Sequence, residues 1–154
     1  MDQQAAIIGA HTFFRHLPGA YLERLANAAQ HISVPSGQRL FEEGGTARNF
    51  WLIDAGQVAL DARVPGDGSV IIELLGRGDI VGLSWLQPPY QFRFGAVTTQ
   101  PMQAFEFDAA AVRAACDDDP ALGYALICRF QAITARRLQV TRTRLLQARM
   151  AMAC

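Results

Sequence analysis

The sequence predicts an α+β protein, mainly β: an antiparallel β-roll of the jelly-roll type, with helices before it and one long helix after it. Three observations carry this. Short apolar runs separated by Gly- and Pro-bearing turns fill the middle of the chain. Apolar residues recur at helical spacing ahead of them. From Pro120 to nearly the last residue no glycine-rich or proline-bearing break interrupts a helical pattern. We expect one domain over 1–154, divided into a helical part at 8–30, a β-roll at 31–108, a short helix at 109–119 and a dimerisation helix at 120–150.

The N-terminal helical part rests on Tyr21, Leu22, Leu25, Ala26 and Ala29, with Pro18-Gly19 breaking the chain before them. From His31 the period changes. Ile32 and Val34 alternate ahead of the turn Pro35-Ser36-Gly37, Leu40-Phe41 come next, and Gly44-Gly45 turns the chain again. FWLIDAGQVAL, Phe50 to Leu60, reads as a strand pair bent at Gly56. Pro65-Gly66-Asp67-Gly68 is a hairpin turn, since Asp-Gly readily adopts the positive φ that such turns need. Val70 to Leu75 is a further strand, and Gly76, Gly78 and Gly82 break up the next stretch. Ala96 to Phe107 gives the last two strands, with Phe105 and Phe107 on one face and Glu106 on the other.

Asp108 is placed to cap a short helix through Cys116. Asp117-Asp118-Asp119-Pro120 then opens the last helix, acids before its positive end and Pro where a backbone donor is not needed. Along it Leu138, Thr141, Leu145, Ala148 and Met152 have a 3-4-3-4 spacing, a narrow coiled-coil seam. A helix of this length outruns the surface of so small a domain, so the seam predicts a homodimer through the C-terminal helix.

Net charge is zero over 154 residues but segregated. Residues 1–119 hold 8 Arg against 14 acids, a balance of −6, while 120–154 hold 6 Arg and no acid, a balance of +6. All basic residues are Arg. A solvated cationic helix beside an acidic body accounts for this, and an anionic ligand or partner is the sharper reading. Arg129, Arg136 and Arg137 fall in the half of the helix expected to pack on the body, leaving Arg142, Arg144 and Arg149 for outside contacts. The N-terminus has no basic segment ahead of a long apolar run, and no stretch is long enough to span a bilayer. The three cysteines, Cys116, Cys128 and Cys154, lack metal-ligand spacing. A cytoplasmic protein without membrane contact is expected.

VPSGQRLFEEGGTARNFWLIDAGQVAL and then IIELLGRGDIVG, with Gly37, Gly44, Gly56, Gly78 and Gly82 in order, resemble the sensor half of the bacterial catabolite-activator (Crp/Fnr) family, a cyclic-nucleotide-binding fold. ARRLQVT, Ala135 to Thr141, is similar to that family's dimer helix. The resemblance covers nearly the whole chain, which ends where the family's DNA-binding domain begins, so DNA is not an expected partner of this chain alone.

The resemblance places the phosphate-binding cassette at Gly78 to Ala96 and implies a ligand-binding set of Gly82, Leu83, Ser84, Arg93, Phe94, Arg137 and Thr141. Exposed N–H groups at a helix start and an arginine hold the phosphate in such a cassette, and a carboxylate accepts from the ribose. This chain departs from the pattern. The family's glutamate falls at Leu83 and its arginine at Phe92, with Arg93 one place later. Losing one charge-assisted bond and misplacing another removes about 4 kcal/mol, on the order of 1000-fold in affinity. Binding of cyclic AMP or cyclic GMP is therefore expected to be weak. Trp85, Pro88, Pro89, Tyr90 and Phe92 either fill the pocket or line it for a flatter, more apolar ligand. On the helix, the resemblance gives Arg137 a pocket-facing place and Thr141 a purine contact, with Arg142 where the family has serine.

Three functions fit these readings: a dimeric sensor, stand-alone, that transmits the state of a small anionic or nucleotide ligand to a partner protein; a ligand-free dimeric interaction scaffold; or the sensor half of a Crp/Fnr transcription regulator. Catalysis is not expected. His11, His16 and His31 all lie in or beside the N-terminal helices, away from the barrel positions a metal site needs, and no nucleophile motif is present. A haem sensor has no specific motif here.

Overall fold

The computed structural model describes residues 2–153. Helices α1 (Gln3–Ala10) and α2 (Gly19–Asn27) flank a 3-10 turn at Thr12–Phe14. The strands are β1 (Ala29–Val34), β2 (Arg39–Phe41), β3 (Asn49–Ala55), β4 (Val58–Val64), β5 (Gly68–Leu75), β6 (Ile80–Val81), β7 (Gly95–Thr98) and β8 (Met102–Asp108), with a second 3-10 turn, Ser84–Leu86, between β6 and β7. Helices α3 (Ala109–Asp118) and α4 (Pro120–Ala153) close the described chain. The helical part thus begins at Gln3 rather than at residue 8, and β1 starts at Ala29. The run Ala5-Ala6-Ile7-Ile8 carries no clear period, and α1 buries only Ala5 and Ile8.

Two four-stranded antiparallel sheets form the roll, in the orders β1-β8-β3-β6 and β2-β7-β4-β5. FWLIDAGQVAL does not form one hairpin: β3 and β4 belong to different sheets. Gly56 makes the change of sheet. It sits at φ +102°, and a Cβ there would lie 2.3 Å from the Pro101 carbonyl oxygen, so only glycine fits.

Register explains the core. Leu52 pairs with Phe105 and Phe50 with Phe107, which puts these four on the face of the first sheet that meets the helices. There the Phe50 ring stacks on Phe107 (4.6 Å between centroids) and Trp85 (4.5 Å), and meets Phe130 of α4 edge-on at 5.5 Å. Phe13 packs on Phe130 and Phe14 on Phe107, so helices from both chain ends seal one sheet face. Trp51, one residue out of step, points the other way and stacks on Phe41 of the second sheet.

Capping agrees with the sequence. The Asp108 carboxylate accepts from the Ala111 amide at the start of α3. That of Asp119 accepts from Ala121 and Leu122 at the start of α4. Helix α4 is 34 residues long and buries Leu122, Gly123, Leu126, Phe130 and Ile133, all in its first half. The seam residues lie open to water, Leu138 and Leu145 each 68% exposed and Met152 87%. Among the described residues no helix is long and apolar enough to cross a membrane.

Candidate functional site

The segment from Gly82 to Phe94 joins β6 to β7 and is held at three points. Tyr90 and Phe92 pair with the β2–β3 loop: the Ala47 amide donates to the Tyr90 carbonyl (2.6 Å), the Phe92 amide to the Gly45 carbonyl (2.8 Å), and the Gly44 amide to the Phe92 carbonyl (2.7 Å). Arg113 of α3 donates to the Trp85 carbonyl at 2.7 Å and lies 4.3 Å over the Tyr90 ring. Trp85 anchors the short turn by complete burial between Phe50 and Phe130. Apolar anchoring and backbone pairing together fix where the intervening side chains point.

Phe92 points inward. Its ring is 5% exposed and lies nearly parallel to Phe41, with centroids 3.6 Å apart and planes 13° apart. By the edge of the ring is the backbone of Gly82, φ +95°, where an added Cβ would stand 3.4 Å from Phe92 Cε1. Glycine here does two things: it takes the positive φ that ends β6 and it leaves room for the ring.

What remains of the site is a cavity of about 30 Å³ lined by Phe41, Leu60, Gly82, Leu83, Ser84, Phe92, Arg93, Phe94 and Arg137. That is room for a water or two, far below the roughly 300 Å³ at which small-molecule pockets begin. Leu83 brings an apolar side chain to this cavity and Phe92 an aromatic ring.

Six of the seven predicted ligand-binding residues meet around this one cavity: Gly82, Leu83, Ser84, Arg93, Phe94 and Arg137. Thr141, one turn past Arg137 on α4, is exposed and lies outside it. Arg137 enters from the last helix and donates through Nη2 to the Ile80 carbonyl at 2.7 Å, with Glu73 Oε2 3.6 Å from its Nε. Burial weakens the guanidinium's hold on its proton, and Glu73 and Asp79 oppose that. Arg93 makes no hydrogen bond or ion pair to another described residue. The outward half of α4 differs from expectation. Arg144 reaches back to the Ile72 carbonyl of β5, at 2.5 Å, while Arg136 is exposed.

Phe92 stood outside the predicted ligand-binding set, though named as filling or lining the pocket, and three further participants were absent from it. Phe41 and Leu60 come from the opposite sheet, and no local pattern ties them to the cassette. Glu73 carried a usable signal, a single acid inside the apolar run VIIELL.

The family described as "Cyclic nucleotide-binding domain" matches residues 31–119. Among solved structures, a Geobacter metallireducens protein described as a cyclic nucleotide-binding protein superimposes with a TM-score of 0.79 over 90% of this chain and 99% of its own, at 26% identity. A cyclic nucleotide-binding domain from Methylobacillus flagellatus gives 0.80 over 94% and 82%, at 20% identity. The Thermus thermophilus catabolite activator protein gives 0.70 over 88% and 62%, at 21% identity. No curated protein matches the sequence.

Proposed function

The chain belongs to the cyclic nucleotide-binding domain family, and on that premise we propose that it is a dimeric regulatory domain whose nucleotide pocket is filled by its own Phe92 and which acts on a partner protein. The observation that carries this is the Phe92 ring stacked on Phe41 with its edge by Gly82, beside a cavity of only about 30 Å³. Common cyclic nucleotides bind weakly to such a site. The domain has no catalytic role and works in the cytoplasm.

Dimerisation is supported by the second half of α4, where Leu138, Leu145, Leu146, Met150 and Met152 are all exposed on a single protomer. A row of large apolar side chains at seam spacing is stable in water when a second helix covers it. A protein partner is preferred to DNA because three of the six α4 arginines are already engaged within the protomer: Arg129 with the Arg15 and Ala125 carbonyls, Arg137 with Ile80 and Arg144 with Ile72. Arg136, Arg142 and Arg149 alone give sequence-blind, salt-sensitive attraction to phosphates.

Titration calorimetry with cyclic AMP and cyclic GMP tests the filled pocket. Dissociation constants no tighter than about 100 μM are expected. A sub-micromolar constant for either nucleotide overturns the reading. A gel-shift titration at physiological salt tests the partner class, and tight binding to a short duplex would replace the protein partner with DNA.

A further inference from the structure

Resting on the filled-pocket reading, the geometry points to a different ligand class for the same site: we infer that it takes a planar aromatic anion, such as an aryl carboxylate, whose ring displaces that of Phe92 and whose charge is met by Arg93. The slot has a flat aromatic side. Phe41 forms one wall and is itself backed by Trp51 at 5.6 Å and 16°. The Gly82 backbone lies by the ring edge, where an added Cβ would meet Phe92 Cε1 at 3.4 Å and Phe50 Cβ at 3.5 Å. The Phe92 ring, parallel to Phe41, therefore stands in for a ligand's ring.

The plug is removable. Phe92 lies outside the named strands, and both of its backbone bonds, to Gly45 and Gly44, are main chain to main chain. Rotation of its side chain out of the slot breaks neither of them. A displaced plug competes with ligand intramolecularly, so apparent affinity is the affinity of the open form reduced by the fraction open.

The polar lining selects charge. Two arginines line the cavity and no carboxylate does. Arg137 is committed to Ile80 and Glu73. Arg93 is free of protein partners among the described residues, at the mouth beside Ser84. An aryl carboxylate satisfies that guanidinium with paired hydrogen bonds and needs no acceptor for sugar hydroxyls, which Leu83 does not supply.

The test uses 2-naphthoate, its neutral isostere 2-naphthalenemethanol and cyclic AMP, each titrated by calorimetry into the wild type, Phe92→Ala and Arg93→Gln. The inference requires Phe92→Ala to bind 2-naphthoate at least about tenfold more tightly than the wild type. Arg93→Gln should bind it about tenfold more weakly, and the neutral isostere should gain from Phe92→Ala without responding to Arg93→Gln. Absence of 2-naphthoate binding to Phe92→Ala, or equal binding to it and the wild type, overturns the inference. If cyclic AMP gains as much as 2-naphthoate in Phe92→Ala, the ligand class is wrong while the filled pocket stands. Tight binding of cyclic AMP to the wild type removes the filled pocket itself. Should Phe92→Ala fail to give a cooperative thermal transition, Phe92→Leu, which keeps an apolar side chain but not the flat ring, decides by the same comparisons.

Discussion

Arg137 of α4 donates to the main-chain carbonyl of Ile80, the first residue of β6, at 2.7 Å. One guanidinium thus fastens the last helix to the strand that leads into the Phe92 segment. Arg137→Ala leaves this carbonyl and Glu73 without their cation and is expected to cost about 2–4 kcal/mol. Arg137→Met, which keeps the packing and removes the buried charge, should cost less. Urea denaturation of the two variants checks this, and equal stability of Arg137→Ala and the wild type removes Arg137 as a fastener.

The pair Arg39–Asp61 gives a pH signature. Arg39 meets both oxygens of Asp61, at 2.9 and 2.7 Å, and Ser69 adds a third bond at 2.8 Å. The hydrogen bond from Arg39 holds the carboxyl below the usual carboxylate range, against the opposing effect of burial. A depressed carboxylate stabilises the fold above its unfolded value of about 3.9 and loses that contribution as pH falls through the lower folded value. Asp61→Asn should therefore be less stable than the wild type by about 1–2 kcal/mol between pH 5 and 8, the figure moderated by water at Arg39. The gap should narrow below about pH 4. A constant gap down to pH 2 in denaturation curves contradicts this.

Gly56→Ala should be among the most damaging small substitutions. Its Cβ would meet the Pro101 oxygen at 2.3 Å and Met102 Cα at 2.8 Å, both backbone, at φ +102°. A loss above about 3 kcal/mol is expected, against about 1 kcal/mol for Gly37→Ala, where φ is +81° but no atom lies within 4 Å. Thermal midpoints separate the two, and similar values contradict the steric account.

Leu145→Asp places a charge on the proposed seam. Leu145 is 68% exposed in the protomer, so the fold itself should survive while the dimer dissociates. Sedimentation velocity reads the outcome, and an unchanged dimer moves the interface elsewhere.

Much of the fold was legible because its signals are local. Asp108 and Asp119 cap the helices they precede. Phe105 and Phe107 share a face because strands alternate. What failed was non-local. Gly56 announces a bend, but nothing in FWLIDAGQVAL says that the two strands part to different sheets, since that depends on β8 arriving about fifty residues later beside β3. The site divided in the same way. Arg93, Ser84 and Arg137 could be named from a pattern, whereas the inward turn of Phe92 is set by pairing with Gly44 and Gly45 and by Phe41 across the roll. Adjacent residues in an extended segment face opposite ways. Phe92 puts its ring inside, while Arg93, one place on, lines the same cavity from an exposed position.

The buried residues of α4 end at Ile133, yet the helix continues to Ala153. Beyond Arg137 it runs roughly another 24 Å, tied back once more where Arg144 donates to the Ile72 carbonyl of β5. A tilt of about 5° over that length moves the far end through about 2 Å.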